Sequence, residues 1–351
     1  KSIGDIKVRE NGLSFGRGDV MENILVTGGL GYIGSHTVVQ LLNNGYEVVI
    51  IDNLINSSIE TINRIEKITN KRPTLYIKDI RKKEDIIYVL DREKIDKVIH
   101  FAAFKSVNES IEETFNYYEN NIQGTLNLLE VMETKKIKDI IFSSTAAVYG
   151  DNPNVPYSEK TIEKPITPYA TSKLVIEIIL EDLQRIGKVN AIALRYFNPV
   201  GAHPSGLIGE SPKGRPANLM PYITKVAKGE YDYVHVFGND YETRDGTGVR
   251  DYIHVDDLAE GHIAALKYLD SSDSFEVFNL GSSEGYSVLE MINSFTEVNN
   301  IDVPYKIESR RPGDAPISFS DTRKAKNYLD WKARRNLNKM CKDAWNWERS
   351  I

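Results

Sequence analysis

Tyr169 and Lys173, four positions apart, are the residues in this sequence most suited to acid–base chemistry. On a helix that spacing sets both side chains on one face. An ammonium beside a phenol stabilises the phenolate and draws a pKa normally near about 10 toward neutrality. Such a phenolate can act as a general base on an alcohol or sugar hydroxyl. A third element is a hydroxyl residue within Phe142-Ser143-Ser144-Thr145-Ala146, which ends an apolar run. Pro168 lies just ahead of Tyr169, where proline can open a helix. Taken alone, a Tyr and a Lys one turn apart read as an exposed pair; it is the three elements in this order that argue for chemistry.

A second constellation is Thr27-Gly28-Gly29-Leu30-Gly31-Tyr32-Ile33-Gly34, between an apolar run and a helical pattern. Glycines at 28, 31 and 34 permit a tight turn, close approach to a pyrophosphate and tight helix–sheet packing. The following helix then offers free N–H groups and a positive dipole end to an anion. A glycine triplet is equally the mark of a tight loop with no ligand. Asp52, ending the next apolar run, adds weight: a carboxylate there can accept from adenosine ribose hydroxyls. It would repel a 2′-phosphate, and no Arg or Lys lies in 52–60, so NAD is favoured over NADP.

These residues need a scaffold. Apolar runs at 24–27, 47–51, 74–77, 97–101, 140–143 and 191–195 alternate with amphipathic stretches such as 35–43 and 120–134. Strands alternating with helices imply parallel pairing through right-handed crossovers. Val/Ile-rich strands suit a sheet buried on both faces. After about Tyr196 the pattern turns irregular, with Gly, Pro and Asn clustered through 198–218. The expected fold is α/β: a doubly wound parallel sheet of the Rossmann type over 21–197, then a smaller α/β substrate lobe over 198–351, some segments of which return to the first domain. Residues 1–20 show no periodicity and are expected to be an appended leader.

The whole chain limits the partners. Its 351 residues with 41% hydrophobic content can bury a sizeable core, which excludes disorder as the main description. Lys+Arg number 44 against 50 Asp+Glu, so a net charge of −6 gives no basic footprint for nucleic acid or a membrane surface. The lone Cys341 can form neither an intramolecular disulfide nor a thiolate cage, which points to a reducing, cytoplasmic setting. No apolar run reaches the roughly 18 residues that span a bilayer. With neither HExxH nor paired CxxC, no metal is expected.

The glycine spacing GxxGxxG with a downstream Tyr-x-x-x-Lys resembles the short-chain dehydrogenase/reductase superfamily. Within it, the chain from about Met21 onward is similar to the UDP-glucose 4-epimerase family. The matching stretches include Ile99-His-Phe-Ala-Ala103, Tyr117-Tyr-Glu-Asn-Asn121, Leu194-Arg-Tyr-Phe-Asn-Pro-Val-Gly-Ala202, Asn218-Leu-Met-Pro-Tyr222, Phe237-Gly-Asn-Asp240, Asp245-Gly-Thr-Gly-Val-Arg-Asp251 and Arg310-Arg-Pro-Gly-Asp314. The resemblance implies NAD-dependent inversion at C4 of a UDP-hexose through a 4-keto sugar. Tyr169 would remove the 4-hydroxyl proton, Thr145 would bridge that hydroxyl to the phenol, and Lys173 would hold the nicotinamide ribose. That family usually carries Ser where this chain has Thr145, which implies a modest rate effect at most.

The resemblance also implies binding roles. Tyr32 and Ile33 of the glycine loop join the cofactor set, with Asn53, Asn56 and Ser57 beside the adenosine and Asp79 and Ile80 at the adenine. Phe101, Ala102, Ala103, Lys105, Asn120, Ser143 and Phe197 belong to the pyrophosphate and nicotinamide ends. For the UDP-sugar it implies Tyr196, Asn198, Asn218, Leu219, His235, Phe237, Arg250, Arg311 and Asp314, with Lys105 shared. Arg250 and Arg311 would face the diphosphate; without the motifs they read equally as surface ion-pair partners. Ser318, four residues after Asp314, falls where a bulky residue excludes and a small one admits a 2-N-acetyl group. Turnover of UDP-GlcNAc and UDP-GalNAc is therefore expected too.

On the helix after Tyr169 only Glu177, Glu181 and Gln184 form a polar arc. A helix with so narrow a polar face implies burial by a partner, expected as a two-fold homodimer in which 120–134 joins the interface. His100 and His254 read as core histidines, and Asp256-Asp257 as a helix cap. The competing readings are a nucleotide-sugar 4,6-dehydratase or decarboxylase and a non-enzymatic NAD-binding sensor. A dehydratase typically has Asp-Glu after the hydroxyl residue, where this chain has Ala146-Ala147; a sensor would typically lack the Tyr–Lys pair.

Overall fold

Each of the six apolar runs becomes a strand of one parallel sheet: β1 (Asn23–Thr27), β2 (Glu47–Asp52), β3 (Thr74–Ile77), β4 (Lys97–His100), β5 (Asp139–Thr145) and β6 (Asn190–Tyr196). The computed structural model describes residues 21–311 and 314–351; the expected leader at 1–20 lies outside them. Three further short strands follow, β7 (Asn198–Val200), β8 (Val234–Phe237) and β9 (Val249–His254). The last four are β10 (Glu276–Leu280), β11 (Gly285–Ser287), β12 (Tyr305–Glu308) and β13 (Ile317–Ser318). The main sheet runs β10-β6-β5-β4-β1-β2-β3, every pair parallel. Its order reverses between β1 and β4, where ligands bind in doubly wound sheets, outside the strand C-termini.

Both faces of that sheet are covered, which is why its strands read as unbroken apolar runs. One face packs Ile24, Val26, Ile50, Ile99 and Ile141 under the helices Tyr32–Asn43 and Val255–Leu269. The other packs Leu25, Val49, Val98 and Ile140 under the helices Gly124–Thr134 and Pro168–Arg185. Helix Val255–Leu269 and strand β10 both follow the substrate-lobe segments in sequence yet complete the Rossmann layers. A separate core, with Met220, Ile223, Val236, Tyr252, Met291 and Phe295, lies under β7–β9, β11–β13 and the helices Leu219–Ala227, Val288–Asn299 and Leu337–Glu348.

Local chemistry sets the element ends nearest the cleft. Helix Pro168–Arg185 begins with proline at its first turn, and the Thr167 hydroxyl accepts from Ala170 N. Helix Val255–Leu269 is capped by His254, whose Nδ1 accepts from Asp256 N at 3.0 Å. The expected cap, Asp256-Asp257, instead occupies the first turn. His254 Nε2 meets Asp343 at 3.0 Å, which fixes its tautomer. Before helix Gly124–Thr134 the chain widens into a π-type turn, Glu119–Gln123, where a plain helix was expected. Its cause is Asn121, whose amide turns inward to Phe104 O and Ser172 Oγ, both at 3.1 Å.

Candidate active site

The glycine loop joins β1 to helix Tyr32–Asn43 with a turn only glycine permits at two places. Gly28 sits at φ +71°, and a Cβ there would come within 2.8 Å of Ala102 N. A Cβ on Gly34 would lie 2.2 Å from the Gly28 carbonyl oxygen. The helix N-cap, Gly31, supplies no capping side chain, so its first-turn N–H groups face the cleft mouth as an anion seat. Asp52, buried at the end of β2, accepts from Leu30 N at 3.0 Å, Leu54 N at 2.9 Å and Ser57 Oγ at 2.7 Å. The Leu54 bond holds that residue at φ +60°, so the carboxylate pins the turn as well as facing the adenosine position. A cradle that no Cβ could enter, beside a helix N-terminus and a fixed carboxylate, fits the pyrophosphate and ribose of NAD.

Around this loop the expected cofactor residues fall in two groups. Asn53 Nδ2 donates to Asp79 at 3.3 Å, and Asp79 is clasped by Arg81 at 2.6 Å. Ile80 is buried against Gly124, Ser57 is partly buried and Asn56 is exposed. Ala102 N donates to Thr27 O at 3.1 Å, and Phe101 packs on His262 with ring centroids 4.9 Å apart; Ala103 follows them into the cleft wall. Asn120 donates to Asn121 at 3.0 Å. Tyr32 donates its hydroxyl to Gly201 O at 2.7 Å, stapling the glycine loop to the segment after β7, while Ile33 packs on the core. Lys105 reaches Glu210 at 3.5 Å. Phe197 is 5% exposed, in an apolar cluster with Val148, Tyr149 and Tyr157.

At the C-terminal end of β5 the acid–base residues meet. The Thr145 hydroxyl lies close enough to the Tyr169 phenol to lower its pKa, and accepts from Ala147 N at 3.1 Å. Lys173 Nζ donates to Ser143 O at 2.7 Å and lies 4.9 Å from the centre of the Phe142 ring. Ser143 lies near the Tyr196 hydroxyl, which meets His262 Nε2. Burial pushes the Tyr169 phenol up, and the Thr145 hydroxyl offsets only part of that rise. Burial also draws Lys173 down to about 7, against the opposing pull of the Glu177 carboxylate. The expectation that Lys173 draws the phenol toward neutrality is therefore corrected for the polypeptide alone: desolvation dominates both groups.

The expected nucleotide-sugar residues line the facing lobe. Asn218 Nδ2 donates to Glu210 at 2.9 Å, and Leu219 opens the helix after it. His235 and Phe237 stack along β8 with ring centroids 6.1 Å apart, His235 bonded to Glu308 and the Arg311 guanidinium 3.8 Å from the centre of the Phe237 ring. Arg250 reaches Asp314 at 3.5 Å and sits opposite Ser318 in the β9–β13 register. The Tyr157 hydroxyl, which lies near Ser318, donates to Asn152 O at 2.7 Å. Asn198, at the start of β7, is exposed.

Two residues escaped the sequence reading. Arg215, in the irregular segment, donates to His235 Nε2 at 3.0 Å and Tyr222 OH at 2.9 Å; no local pattern marks it. Glu177, expected on the solvent arc of its helix, is 3% exposed and bonded to Arg195 and Ser144. Its spacing of four from Lys173 was the available signal.

A protein-family model described as GDP-mannose 4,6 dehydratase matches residues 25–344. A UDP-glucose 4-epimerase of Bacillus subtilis is 51% identical over 328 residues, covering 93% of this chain and 97% of that relative. The chain belongs to the UDP-glucose 4-epimerase family. Among solved members, the Stenotrophomonas maltophila UDP-glucose 4-epimerase, with bound NAD and formylated UDP-arabinopyranose, superposes with a TM-score of 0.92 at 46% identity, covering 94% of this chain and 98% of that one. The Campylobacter jejuni UDP-Glc/GlcNAc 4-epimerase superposes with a TM-score of 0.83 at 36% identity, covering 94% and 100%. Within the epimerase family the doubly wound sheet and the glycine loop are thus accounted for. Among the described residues no helix is long and apolar enough to cross a membrane.

Proposed function

We propose that this epimerase-family chain interconverts UDP-galactose and UDP-glucose by NAD-dependent inversion at C4. The observation that carries the reading is the meeting of Thr145, Tyr169 and Lys173 at the strand ends beside a glycine cradle. The first-turn N–H groups at Tyr32–Gly34 would hold the pyrophosphate, Asp52 the adenosine ribose, and Lys173 the nicotinamide ribose. When bound, NAD would accept the hydride from C4 and return it. Thr145 would accept from and orient the sugar 4-hydroxyl, and Tyr169, ionised to the phenolate in the cofactor-bound cleft, would take its proton and hold it as the phenol. The 4-keto sugar turns about its bond to the diphosphate, and Tyr169 returns the proton when its other face is presented. Arg250 and Arg311 hold the diphosphate through the turn, with His235 and Phe237 flanking the uracil.

Incubating the purified protein with UDP-galactose and no added cofactor tests this: UDP-glucose should appear, and its absence would overturn the reading. The dehydratase description of the family model favours a second reading. Against it, Ala146-Ala147 follow Thr145 and offer no carboxylate for elimination.

Substrate range is proposed to extend to the N-acetylhexosamine pair. Ser318 is small, and the Campylobacter jejuni neighbour is described as acting on both Glc and GlcNAc nucleotides. No turnover of UDP-GlcNAc would sink that extension. We also propose a two-fold dimer: Ile178 on helix Pro168–Arg185 is 51% exposed, and Ile111 and Phe115, on the short helices packed against it, are 61% and 89% exposed. Helix Gly124–Thr134 contributes less than the sequence suggested, because Leu128, Leu129, Val131 and Met132 are spent in the chain's own core. A monomer in sedimentation at micromolar concentration would contradict the dimer. A cytoplasmic setting suits the buried free thiol of Cys341, which burial pushes up to about 12.

A further inference from the structure

Glu177 lies one helical turn beyond Lys173, buried where three elements of the site converge. Its carboxylate accepts from Arg195 Nε at 3.0 Å and Nη2 at 2.6 Å, and from Ser144 Oγ. Ser144 is flanked on β5 by Ser143 and Thr145; Arg195 precedes Tyr196 on β6. One side chain therefore ties the catalytic helix to both strand ends that carry its partners. A second carboxylate, Glu163, already meets Arg195 Nη2 at 2.8 Å, so charge balance for Arg195 does not by itself require Glu177.

We propose that Glu177 is a positioning residue for the epimerase reaction: it braces helix Pro168–Arg185 against β5 and β6 and keeps the Lys173 ammonium charged beside Tyr169. This rests on the epimerase reading of the site and adds to it a residue that touches neither sugar nor cofactor. A buried ammonium favours its neutral form unless a carboxylate is near. Glu177 is the charge that opposes burial at Lys173. In the polypeptide without its cofactor, the other groups facing Lys173 supply no negative charge at neutral pH. On its own helix, Tyr169 is a phenol pushed up by burial. On β4, His100 is held neutral, drawn down to about 3 by burial and by Lys173 itself. From β5 come the Phe142 ring and the Ser143 carbonyl. From β6 come Tyr196, a buried phenol, and Arg195, a cation already spent on Glu177. Removing the Glu177 charge leaves Lys173 deprotonating at lower pH, and the rate should fall with it.

The test is kcat against pH for UDP-galactose turnover by the protein as purified. Glu177→Gln should move the alkaline limb about one pH unit lower, leaving the rate about tenfold below wild type on that side. A folded Glu177→Gln protein, judged by its circular dichroism, with the limb unmoved overturns the proposal. Should Glu177→Gln not fold, Glu177→Asp decides: it keeps the charge but withdraws it from the strand ends. The Asp variant should lose severalfold in kcat with the limb in place, and a wild-type kcat overturns the brace. A Tyr169→Phe control separates the two readings. If that control keeps full rate, the epimerase mechanism fails, and Glu177's role fails with it.

Discussion

The two ends of the cleft are built from different materials. The cofactor end is made of backbone: a turn closed by glycines, a bare helix N-terminus, and Asp52 held by three hydrogen bonds. The nucleotide-sugar end is made of long side chains already engaged with one another. Arg250 sits on Asp314, Arg311 on the Phe237 ring, Asn218 and Lys105 on Glu210, and Arg215 on His235. The first end is preorganised, so a ligand there gains contacts without moving the protein. On the proposed reading, the second would have to trade internal pairs for a diphosphate.

That contrast can be broken from either side. Gly34→Ala drives a Cβ into the Gly28 carbonyl and should cost the most: loss of co-purifying NAD, read in the released absorbance, and at least about a hundredfold in turnover. A variant that keeps its NAD would show the cradle to be adaptable. Arg250→Ala should leave NAD content unchanged and raise KM for UDP-galactose by about 10- to 100-fold, the worth of charge-assisted bonds to a phosphate. If NAD is lost as well, the two ends are not separable. Ser318→Tyr should remove N-acetyl turnover while changing UDP-galactose turnover less than about threefold, since it adds bulk and leaves no charge unpaired. Thr145→Ser, which keeps the hydroxyl and deletes a methyl, should change kcat about twofold or less.

The preorganised end was the more legible in the sequence, and the reason is physical. A glycine triplet within one turn, where the Gly34 clash is with the Gly28 carbonyl, and a Tyr–Lys pair on one helical face are local and leave a spacing behind. The six strands showed for the same reason, since burial on both faces writes an unbroken apolar run. What was not legible depended on contacts between distant segments. Glu177 looked like a solvent-facing acid because Ser144 and Arg195 lie 33 and 18 positions away. The π-type turn at Glu119–Gln123 follows from Asn121 reaching Phe104 and Ser172, which no helical periodicity contains. Likewise Asp256 seemed a cap until His254, pinned by Asp343, took that place. The upward push of burial on the Tyr169 phenol in the polypeptide alone was not legible either, because a spacing shows a neighbouring charge and not the loss of water around it.

The central claim is that the Tyr169 phenol carries the proton of the 4-hydroxyl. Single-turnover measurement of UDP-galactose conversion by Tyr169→Phe, in protein shown to retain its NAD, tests it most directly. The account predicts a loss of about a thousandfold, with UDP-sugar affinity little changed, because Phe keeps the ring and removes only the proton carrier. Conversion at the wild-type rate would contradict it.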